Sequence, residues 1–269
     1  MCICVCDQLH TLGADVSGVF VDHVQCSTHP STMTPFPDIN RSQALIVAFA
    51  SPKGGVGKST SCAALAGAVS AMNCPVHIID LDQTRTLHRW FTRFKTNMPS
   101  LHVESVAEAD FMSHLKEVYR TQKGFILIDV AGAFAKAMIQ ASTVAHLTIT
   151  PAKLSEPDII EATKLHREIA DLGAAIGKPI QHRLLVNEVS PLLPTYQRAA
   201  LADIERSGIP RFETLLTERA PYAEIFMTGQ TPHFADGTRD PVRKAVAELN
   251  MLTREVCDLL GSQVQREAA

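Results

Sequence analysis

A ten-residue stretch rich in glycine and lysine constrains this chain more than any other feature. Residues 51–60 are S-P-K-G-G-V-G-K-S-T, and they directly follow the apolar run A-L-I-V-A-F-A of residues 44–50. A buried strand that ends in glycines and continues into a small-residue helix brings backbone N–H groups, a helix N-terminus and a lysine to one point. These groups hold a polyphosphate, so the sequence predicts a phosphate-binding loop.

The loop departs from the usual G-x-x-x-x-G-K-[ST] pattern, because Pro52 stands at the first glycine position and Lys53 precedes Gly54. The pattern K-G-G-x-G-K-[ST]-[ST] is the deviant Walker A sequence, and the stretch resembles the ParA/MinD family of ATPases. The resemblance implies that Lys58 holds the phosphates of the bound nucleotide, whereas Lys53 reaches across a dimer interface to the nucleotide of the other subunit. The expected nucleotide-binding residues of the loop are Gly54, Gly55, Val56, Gly57, Lys58, Ser59 and Thr60.

Two aspartates end the next predicted strand, which covers residues 76–82 (V-H-I-I-D-L-D). Ligands of open α/β sheets bind at the carboxyl ends of the strands, where two carboxylates can serve a magnesium-bound triphosphate. The stretch matches the D-x-D of the family, and this implies that Asp82 positions the attacking water in switch I. We expect Lys53, Lys58 and Asp82 to act in catalysis. Asp80 is a candidate metal residue, and the alternative is that it caps the end of the strand.

The residues after Asp82 differ from the D-x-D-P-Q-G continuation usual in the family. Residues 83–90 are Q-T-R-T-L-H-R-W, and their L-x-R-W ending resembles the VirC type of plasmid ATPases, which act in T-DNA transfer. The difference argues against a plain chromosomal partitioning protein and favours the plasmid-encoded branch.

A further apolar run, residues 125–129 (F-I-L-I-D), ends in an aspartate and is typical of a Walker B strand. The carboxylate of such a strand holds Mg²⁺ through its water shell. The sequence therefore predicts a magnesium site with Ser59, Asp129 and Asp80. Residues 130–133 (V-A-G-A) follow at the switch II position, where Gly132 allows the backbone to respond to the γ-phosphate.

Asn187 lies near the end of a later apolar strand, R-L-L-V-N-E-V, over residues 183–189. Members of the family often place an asparagine here that hydrogen-bonds the adenine base, and an amide offers both a donor and an acceptor to the adenine edge. Its alternative role is to cap the loop before Pro191.

The hydrophobic pattern predicts an α/β fold with a doubly wound, mostly parallel sheet and helices on both faces. At 269 residues and 46% hydrophobic content, the chain fits one large domain, which we place at residues 41–265. The predicted strands are 45–50, 76–82, 103–106, 125–129, 146–151, 183–189 and 211–216, and the predicted helices are 58–72, 107–120, 155–172, 195–207, 221–228 and 241–260.

Residues 1–40 form an N-terminal extension that we expect to be disordered or peripheral. Four of the seven cysteines, Cys2, Cys4, Cys6 and Cys26, lie in it. Without a secretory context we interpret them as free thiols. Cys26-x-x-His29 could complete a zinc site, but C-x-C-x-C is not a usual zinc spacing.

Charge places a limit on any contact with DNA. The net charge of −3 and the pI of about 6.4 argue against a surface that binds polyanions throughout, so any DNA contact has to involve a local basic patch. The segment E-R-A-P-Y-A-E resembles the stretch where partitioning ATPases carry a basic residue for non-specific DNA binding, which implies that role for Arg219. Arginines and acidic residues balance over residues 183–219, and charge alone therefore predicts no DNA patch.

We therefore expect a slow ATPase that uses ATP and Mg²⁺, forms an ATP-dependent homodimer and positions plasmid or transfer DNA with a cognate partner protein. One alternative is a relative that positions a protein complex. A metabolic relative is less favoured, because iron–sulfur members need cysteines after the Walker B strand and only Cys257 follows.

No apolar run reaches about 18 residues, and the end G-S-Q-V-Q-R-E-A-A lacks a MinD-like amphipathic anchor. We expect a cytoplasmic protein without membrane contact.

Overall fold

The structure, a computed structural model, describes residues 44–94, 98, 100–132 and 135–267. The expected extension of residues 1–40, with its four cysteines, lies outside the described residues, so the proposed domain division remains a prediction.

Within the described ranges, strands and helices alternate over most of the chain. The strands are β1 (Leu45–Phe49), β2 (Val76–Asp80), β3 (Leu101–Ser105), β4 (Phe125–Asp129), β5 (Leu147–Lys153) and β6 (His182–Asn187). The helices are α1 (Lys58–Ala71), α2 (Thr86–Phe94), α3 (Phe111–Thr121), α4 (Ala135–Val144), α5 (Glu156–Ile176), α6 (Thr195–Ser207), α7 (Ala220–Thr228) and α8 (Asp240–Glu267). None of these helices combines the length and apolar character that a membrane crossing requires.

The six strands form one sheet in the order β3-β2-β4-β1-β5-β6, and every neighbouring pair is parallel. The predicted doubly wound α/β fold is thereby confirmed. The order reverses around β1, and ligands bind at such a reversal, outside the carboxyl ends of the strands. Phe49, Asp80 and Asp129 end three adjacent strands in register, which brings the loops after them together.

Both faces of the sheet are covered, which explains its nearly continuous apolar strands. Every residue of β1 and β4 is buried. Successive side chains of β1 enter opposite cores: Val47 and Phe49 lie with α1 and α8, whereas Ile46 and Ala48 lie with α3 and α4. Helix α1 fits closely against its neighbours because of its small side chains, and a Cβ at Gly67 would overlap Thr231.

Two local expectations were wrong, and two helices were not predicted. Residues 211–216 are not a strand, since they pair only through isolated bridges and the N–H groups of Glu213 and Thr214 donate to the Glu255 carboxylate of α8. Strand β2 ends at Asp80 rather than at residue 82. Helices α2 and α4 were not predicted. In α2 only Leu87 and Trp90 are buried, too few to give a clear apolar period.

A buried histidine at the start of β6 gives the protein a pH-dependent stability. His182 Nε2 lies 2.8 Å from Thr150 Oγ1, and His182 Nδ1 lies 2.9 Å from His166 Nδ1. Burial, with smaller contributions from His166 and Arg183, lowers the pKa of His182 to about 3, from an ordinary value of 6.5. Between these two pH values the unfolded chain binds a proton that the folded chain excludes. Stability therefore falls as the pH falls from 6.5 towards 3.

We expect His182→Gln to flatten this dependence. His182 is expected to contribute a loss of up to ~1.4 kcal/mol of unfolding free energy per pH unit within the window, a contribution that a neutral side chain removes. Urea unfolding at pH 7 and pH 5 measures the difference. His88→Gln, on α2, serves as the control and should keep the wild-type slope. Equal slopes in the wild type and in His182→Gln would contradict the assignment. Arg183 and Arg167 are the cations beside the pair formed by His166 and His182.

Candidate nucleotide-binding site

The glycine-rich loop between β1 and α1 has the backbone that its sequence predicts. Gly55 and Gly57 have φ values of +73° and +90°, which side-chain-bearing residues rarely adopt. A Cβ at Gly57 would also overlap the amide of Asn187. At Gly54 and Gly55, no described atom beyond the adjacent residues lies within 4 Å of the position a Cβ would take. This part of the loop is open to a ligand, while Val56 is buried beneath it.

Lys58 begins α1 and bends back over the loop. Its Nζ donates to the carbonyl oxygen of Lys53 at 2.8 Å. Burial lowers the pKa of Lys58, and the charges of Asp129 and Asp82 oppose that effect. Lys58 thus lies at the N-terminus of α1, where an anion is favoured. A bound phosphate can replace the carbonyl that its Nζ now contacts.

Ser59 and Asp129 form a polar pair between α1 and β4. Ser59 Oγ donates to Asp129 Oδ2 at 2.5 Å, and Asp129 Oδ1 is buried with no hydrogen-bond partner in the described parts of the chain. Burial raises the pKa of Asp129 to about 7; nearby Asp80 adds to the rise, and Ser59 and Lys58 oppose it. A buried carboxylate with an unsatisfied oxygen favours a bound cation. The hydroxyl and carboxylate are oxygen donors, which Mg²⁺ prefers, so these residues fit Mg²⁺.

Asp80 is engaged with the backbone. It accepts hydrogen bonds from the N–H groups of Asp82 (3.0 Å), Leu87 (2.9 Å) and His88 (3.0 Å). These bonds tie the end of β2 to the first turn of α2 and favour the capping alternative for Asp80 over a role as metal ligand. Asp80 therefore links the turn that carries Asp82 to α2.

Asp82 is half-buried in that turn and accepts from the N–H of Thr84 at 2.8 Å. It lines a cavity of about 380 Å³ together with Gln83, Arg85 and Glu108. Its charge acts on both Lys58 and Asp129. The structure thus brings the expected switch I carboxylate to the same edge of the sheet as the loop and the Walker B strand.

Lys53 forms an ion pair within its own subunit. Its partner is Asp158 in the first turn of α5, and the side chain of Lys53 is 37% exposed while that of Asp158 is 4% exposed. Sequence reasoning missed Asp158. The sequence indicated Asp158 only as an acidic residue shortly after Ser155. Ser155 caps α5, and its hydroxyl oxygen accepts from the N–H of Asp158 at 3.4 Å. The Lys53 side chain is therefore held against α5.

Asn187 lies against the loop, as its position at the end of β6 predicts. Its Nδ2 donates to the carbonyl oxygen of Val56 at 3.0 Å, and its Oδ1 accepts from the N–H of Glu188 at 2.9 Å. Both ends of the amide are thus occupied by backbone, and contact with an adenine base remains a prediction. Gly132 also approaches the loop, since a Cβ there would lie 2.8 Å from the Pro52 carbonyl oxygen.

Arg219 belongs to a mostly buried network with α8. Its Nε and Nη2 donate to Glu248 Oε1 at 3.0 and 2.8 Å, and the Tyr222 hydroxyl donates to Glu248 Oε2 at 3.1 Å. Only 19% of the Arg219 side chain is exposed. The DNA-binding role predicted for Arg219 remains untested, and the observed contacts are those of a structural ion pair.

Comparison with known proteins agrees with this geometry. A family model described as VirC1 protein matches residues 44–259. Protein ParA of Rhizobium radiobacter is 25% identical over 189 residues, which cover 70% of this chain and 85% of that protein. The maintenance of carboxysome distribution protein A of Gloeobacter kilaueensis is 28% identical over 177 residues, 64% of this chain and 76% of that protein.

A solved structure has the same fold. The putative plasmid partition protein of Borrelia burgdorferi, bound to AMPPNP, matches with a TM-score of 0.61 at 15% identity, over 79% of this chain and all of that chain.

Proposed function

Because this chain belongs to the VirC1 family of ParA/MinD-like P-loop ATPases, we propose that it is an ATP-dependent switch that dimerises and positions plasmid or transfer DNA with a partner protein. The observation that carries the proposal is the pair of half-buried Ser59 and buried Asp129 beside Lys58, with one carboxylate oxygen left without a partner in the described residues. This arrangement is suited to a magnesium-bound triphosphate.

Binding of the nucleotide uses groups that the loop already presents. The N-terminus of α1 and the open backbone of Gly54 and Gly55 receive phosphate oxygens, and Lys58 exchanges the Lys53 carbonyl for a phosphate. Ser59 and Asp129 would hold Mg²⁺, which neutralises phosphate charge when it is bound.

Dimerisation depends on Lys53 in this proposal. Lys53 is partly exposed and is held by Asp158, so it can exchange an intrasubunit partner for the triphosphate of the other subunit. Only a nucleotide whose phosphates extend to the interface provides the competing charge, and dimerisation therefore reports that ATP is bound.

Slow hydrolysis resets the switch. Asp82 accepts a proton from, or orients, the attacking water, a role typical of a positioned carboxylate. Asp80 binds both the Asp82 turn and the start of α2. A change of the turn on hydrolysis is thereby passed to α2.

Helix α2 provides a surface for DNA phosphates that the sequence interpretation did not consider. Arg85, Arg89 and Arg93 are exposed. Arg89 and Arg93 are four residues apart in α2 and share one face of the helix, and Arg85 directly precedes it. Helix α2 contains no acidic residue, and the salt bridges formed by described residues include none of the three arginines. The guanidinium of Arg93 lies over the Phe94 ring, 5.0 Å from its centroid. Exposed guanidinium groups outside salt bridges favour phosphate contacts. Their position next to switch I would make DNA affinity depend on the nucleotide.

DNA binding with ATP, with ADP and without nucleotide tests the proposal. We expect ATP to enhance a salt-sensitive affinity for non-specific duplex DNA, and Lys53→Ala and Lys58→Ala to lose the enhancement. Arg89→Ala/Arg93→Ala is expected to lower the slope of log affinity against log salt by up to ~2, because each phosphate contact contributes about 0.9. The control, Arg120→Ala, replaces an exposed arginine of α3.

Arg219→Ala separates the two possible DNA surfaces. Since it leaves the mostly buried Glu248 without its cation, we expect a lower melting temperature and a salt slope like that of the wild type. A reduced slope at unchanged stability would instead place the DNA contact at Arg219.

A second candidate function is positioning of a protein complex. It is favoured by the similarity to a protein named for carboxysome distribution. If ATP leaves the DNA affinity of the wild type unchanged, this function replaces the DNA switch.

A further inference from the structure

Four potential metal ligands lie at the β3 edge of the sheet. They are separate in sequence from the nucleotide loop and differ from its residues in chemistry. His77 lies on β2, His102 and Glu104 lie on β3, and His114 lies on α3. His77 and His102 are register partners, and Glu104 is two residues further along the same face of β3. We call these four residues the histidine cluster.

The side chains of the histidine cluster point at one another. Ligand atoms of His77, His102 and Glu104 all lie within 4.8 Å of one another. Glu104 Oε1 contacts His77 Nε2 and also lies 2.5 Å from His114 Nε2. Two imidazole nitrogens thus share a single carboxylate oxygen, while the third imidazole lies against His77, with ring centroids 4.8 Å apart. His77, His102 and Glu104 thus bring two imidazole nitrogens and one carboxylate oxygen together, and His114, which hydrogen-bonds Glu104, offers a third nitrogen beside them. Histidine nitrogens combined with a carboxylate oxygen form a ligand set that zinc uses.

The protonation states also suit a metal. Burial lowers the pKa of His77, so its imidazole is neutral near pH 7. Burial alone would raise the pKa of Glu104, but the hydrogen bonds from His114 and His77 outweigh it and the pKa is lowered. A neutral imidazole and an ionised carboxylate are the forms that coordinate a cation.

The ligand chemistry separates this cluster from the magnesium site. Mg²⁺ prefers oxygen donors such as those of Ser59 and Asp129, whereas imidazole suits Zn²⁺, Co²⁺, Ni²⁺ and Cu²⁺. His77 and Glu104 are partly or largely buried, while His102 is exposed to solvent, so an ion can enter from outside.

We propose that the histidine cluster binds one transition-metal dication of the zinc class and thereby fastens the edge strand β3 to β2 and α3. An edge strand has a neighbour on only one side, and a metal that joins it to α3 adds a second attachment. The proposal is independent of the nucleotide function.

The test uses Zn²⁺ and Co²⁺ with the full chain. To remove competing thiolates outside the cluster, Cys2, Cys4, Cys6 and Cys26 are replaced by serine. We expect this protein to bind one Zn²⁺ in competition with a chromophoric chelator, and to melt at a higher temperature with Zn²⁺. Bound Co²⁺ should show d–d absorption without the strong near-ultraviolet band of a thiolate ligand.

Variants assign the site. His102→Gln/His114→Gln replaces the two more exposed imidazoles. Loss of a residue that only hydrogen-bonds a metal ligand costs about 10–100-fold in affinity, and we expect this double variant to lower Zn²⁺ affinity by more than that. The matched control, His88→Gln, should keep the affinity. Absence of binding at about 100 µM Zn²⁺, far above the Kd of a built zinc site, would overturn the proposal. Binding that the double variant leaves unchanged would do the same.

Discussion

Lys53→Ala is expected to bind ATP with an affinity within about threefold of the wild type, a difference of less than ~1 kcal/mol, and to fail to dimerise with it. The reason is that the Lys53 side chain pairs with Asp158 of α5, whereas Lys58 contacts the backbone carbonyl of Lys53. Nucleotide binding by fluorescence titration and sedimentation with ATP and with ADP measure the two effects.

Lys58→Ala provides the contrast. Lys58 is largely buried at the N-terminus of α1, where it faces the charges of Asp129 and Asp82. Loss of a charge-assisted hydrogen bond of ~3 kcal/mol lowers ATP affinity about 100-fold. The two lysines of one loop are thus expected to separate binding from dimerisation.

Two controls keep the Lys53 result specific. Lys53→Ala leaves the buried Asp158 carboxylate without its cation, which can lower stability for reasons unrelated to the dimer. Lys53→Ala/Asp158→Asn removes that charge, so it should recover stability and still not dimerise. Lys164→Ala removes a lysine that pairs with Glu161 on α5 and should behave like the wild type. An unimpaired ATP-bound dimer of Lys53→Ala would refute the role across the interface.

Asp82→Ala is expected to lower ATP turnover by about 10²–10⁴-fold, the contribution typical of a positioned proton acceptor. Asp82 lines the cavity at the carboxyl edge, and within the described residues its carboxylate accepts from the Thr84 N–H of its own turn rather than from the phosphate-binding loop. The variant should therefore still bind ATP and form the ATP-dependent dimer. The fraction of dimer should rise, because hydrolysis no longer causes the dimer to dissociate. Single-turnover hydrolysis and sedimentation measure these effects.

Asp82→Asn tests whether the charge or the turn matters. The amide oxygen can still accept from the Thr84 N–H, as Asp82 does at 2.8 Å, but it cannot take a proton. Turnover as low as in Asp82→Ala supports a proton acceptor. Turnover near the wild type would show that Asp82 acts only by shaping the turn. Asp110→Asn, an exposed position before α3, is the control.

Much of the fold followed from local sequence patterns. The strand, glycine loop and helix of residues 45–71 are encoded within a single stretch, because apolar runs, positive-φ glycines and helix-forming residues act on neighbours in the chain. The carboxyl ends of parallel strands lie at one edge, so the sequence predicts that Asp82 and Asp129 lie at the same edge of the sheet. Helix α2 escaped prediction because its buried face consists of two residues.

The partners of the site residues could not be predicted in the same way. Asn187 reaches Val56 across 131 residues, Arg219 reaches Glu248 across 29, and Lys53 reaches Asp158 on a helix that follows four further strands. No local pattern specifies such pairs, since each depends on how whole elements are placed against one another.

The sequence by itself determined that this chain has a phosphate-binding loop with two lysines and aspartates at the ends of the following strands. Only the tertiary structure decided what those groups contact: Asp80 caps α2, Lys53 is held by Asp158, and three histidines meet Glu104 at the sheet edge. The physical reason is that hydrophobic periodicity specifies which face of an element is buried. Side-chain partners depend on the strand order β3-β2-β4-β1-β5-β6, which arises from packing of the whole sheet.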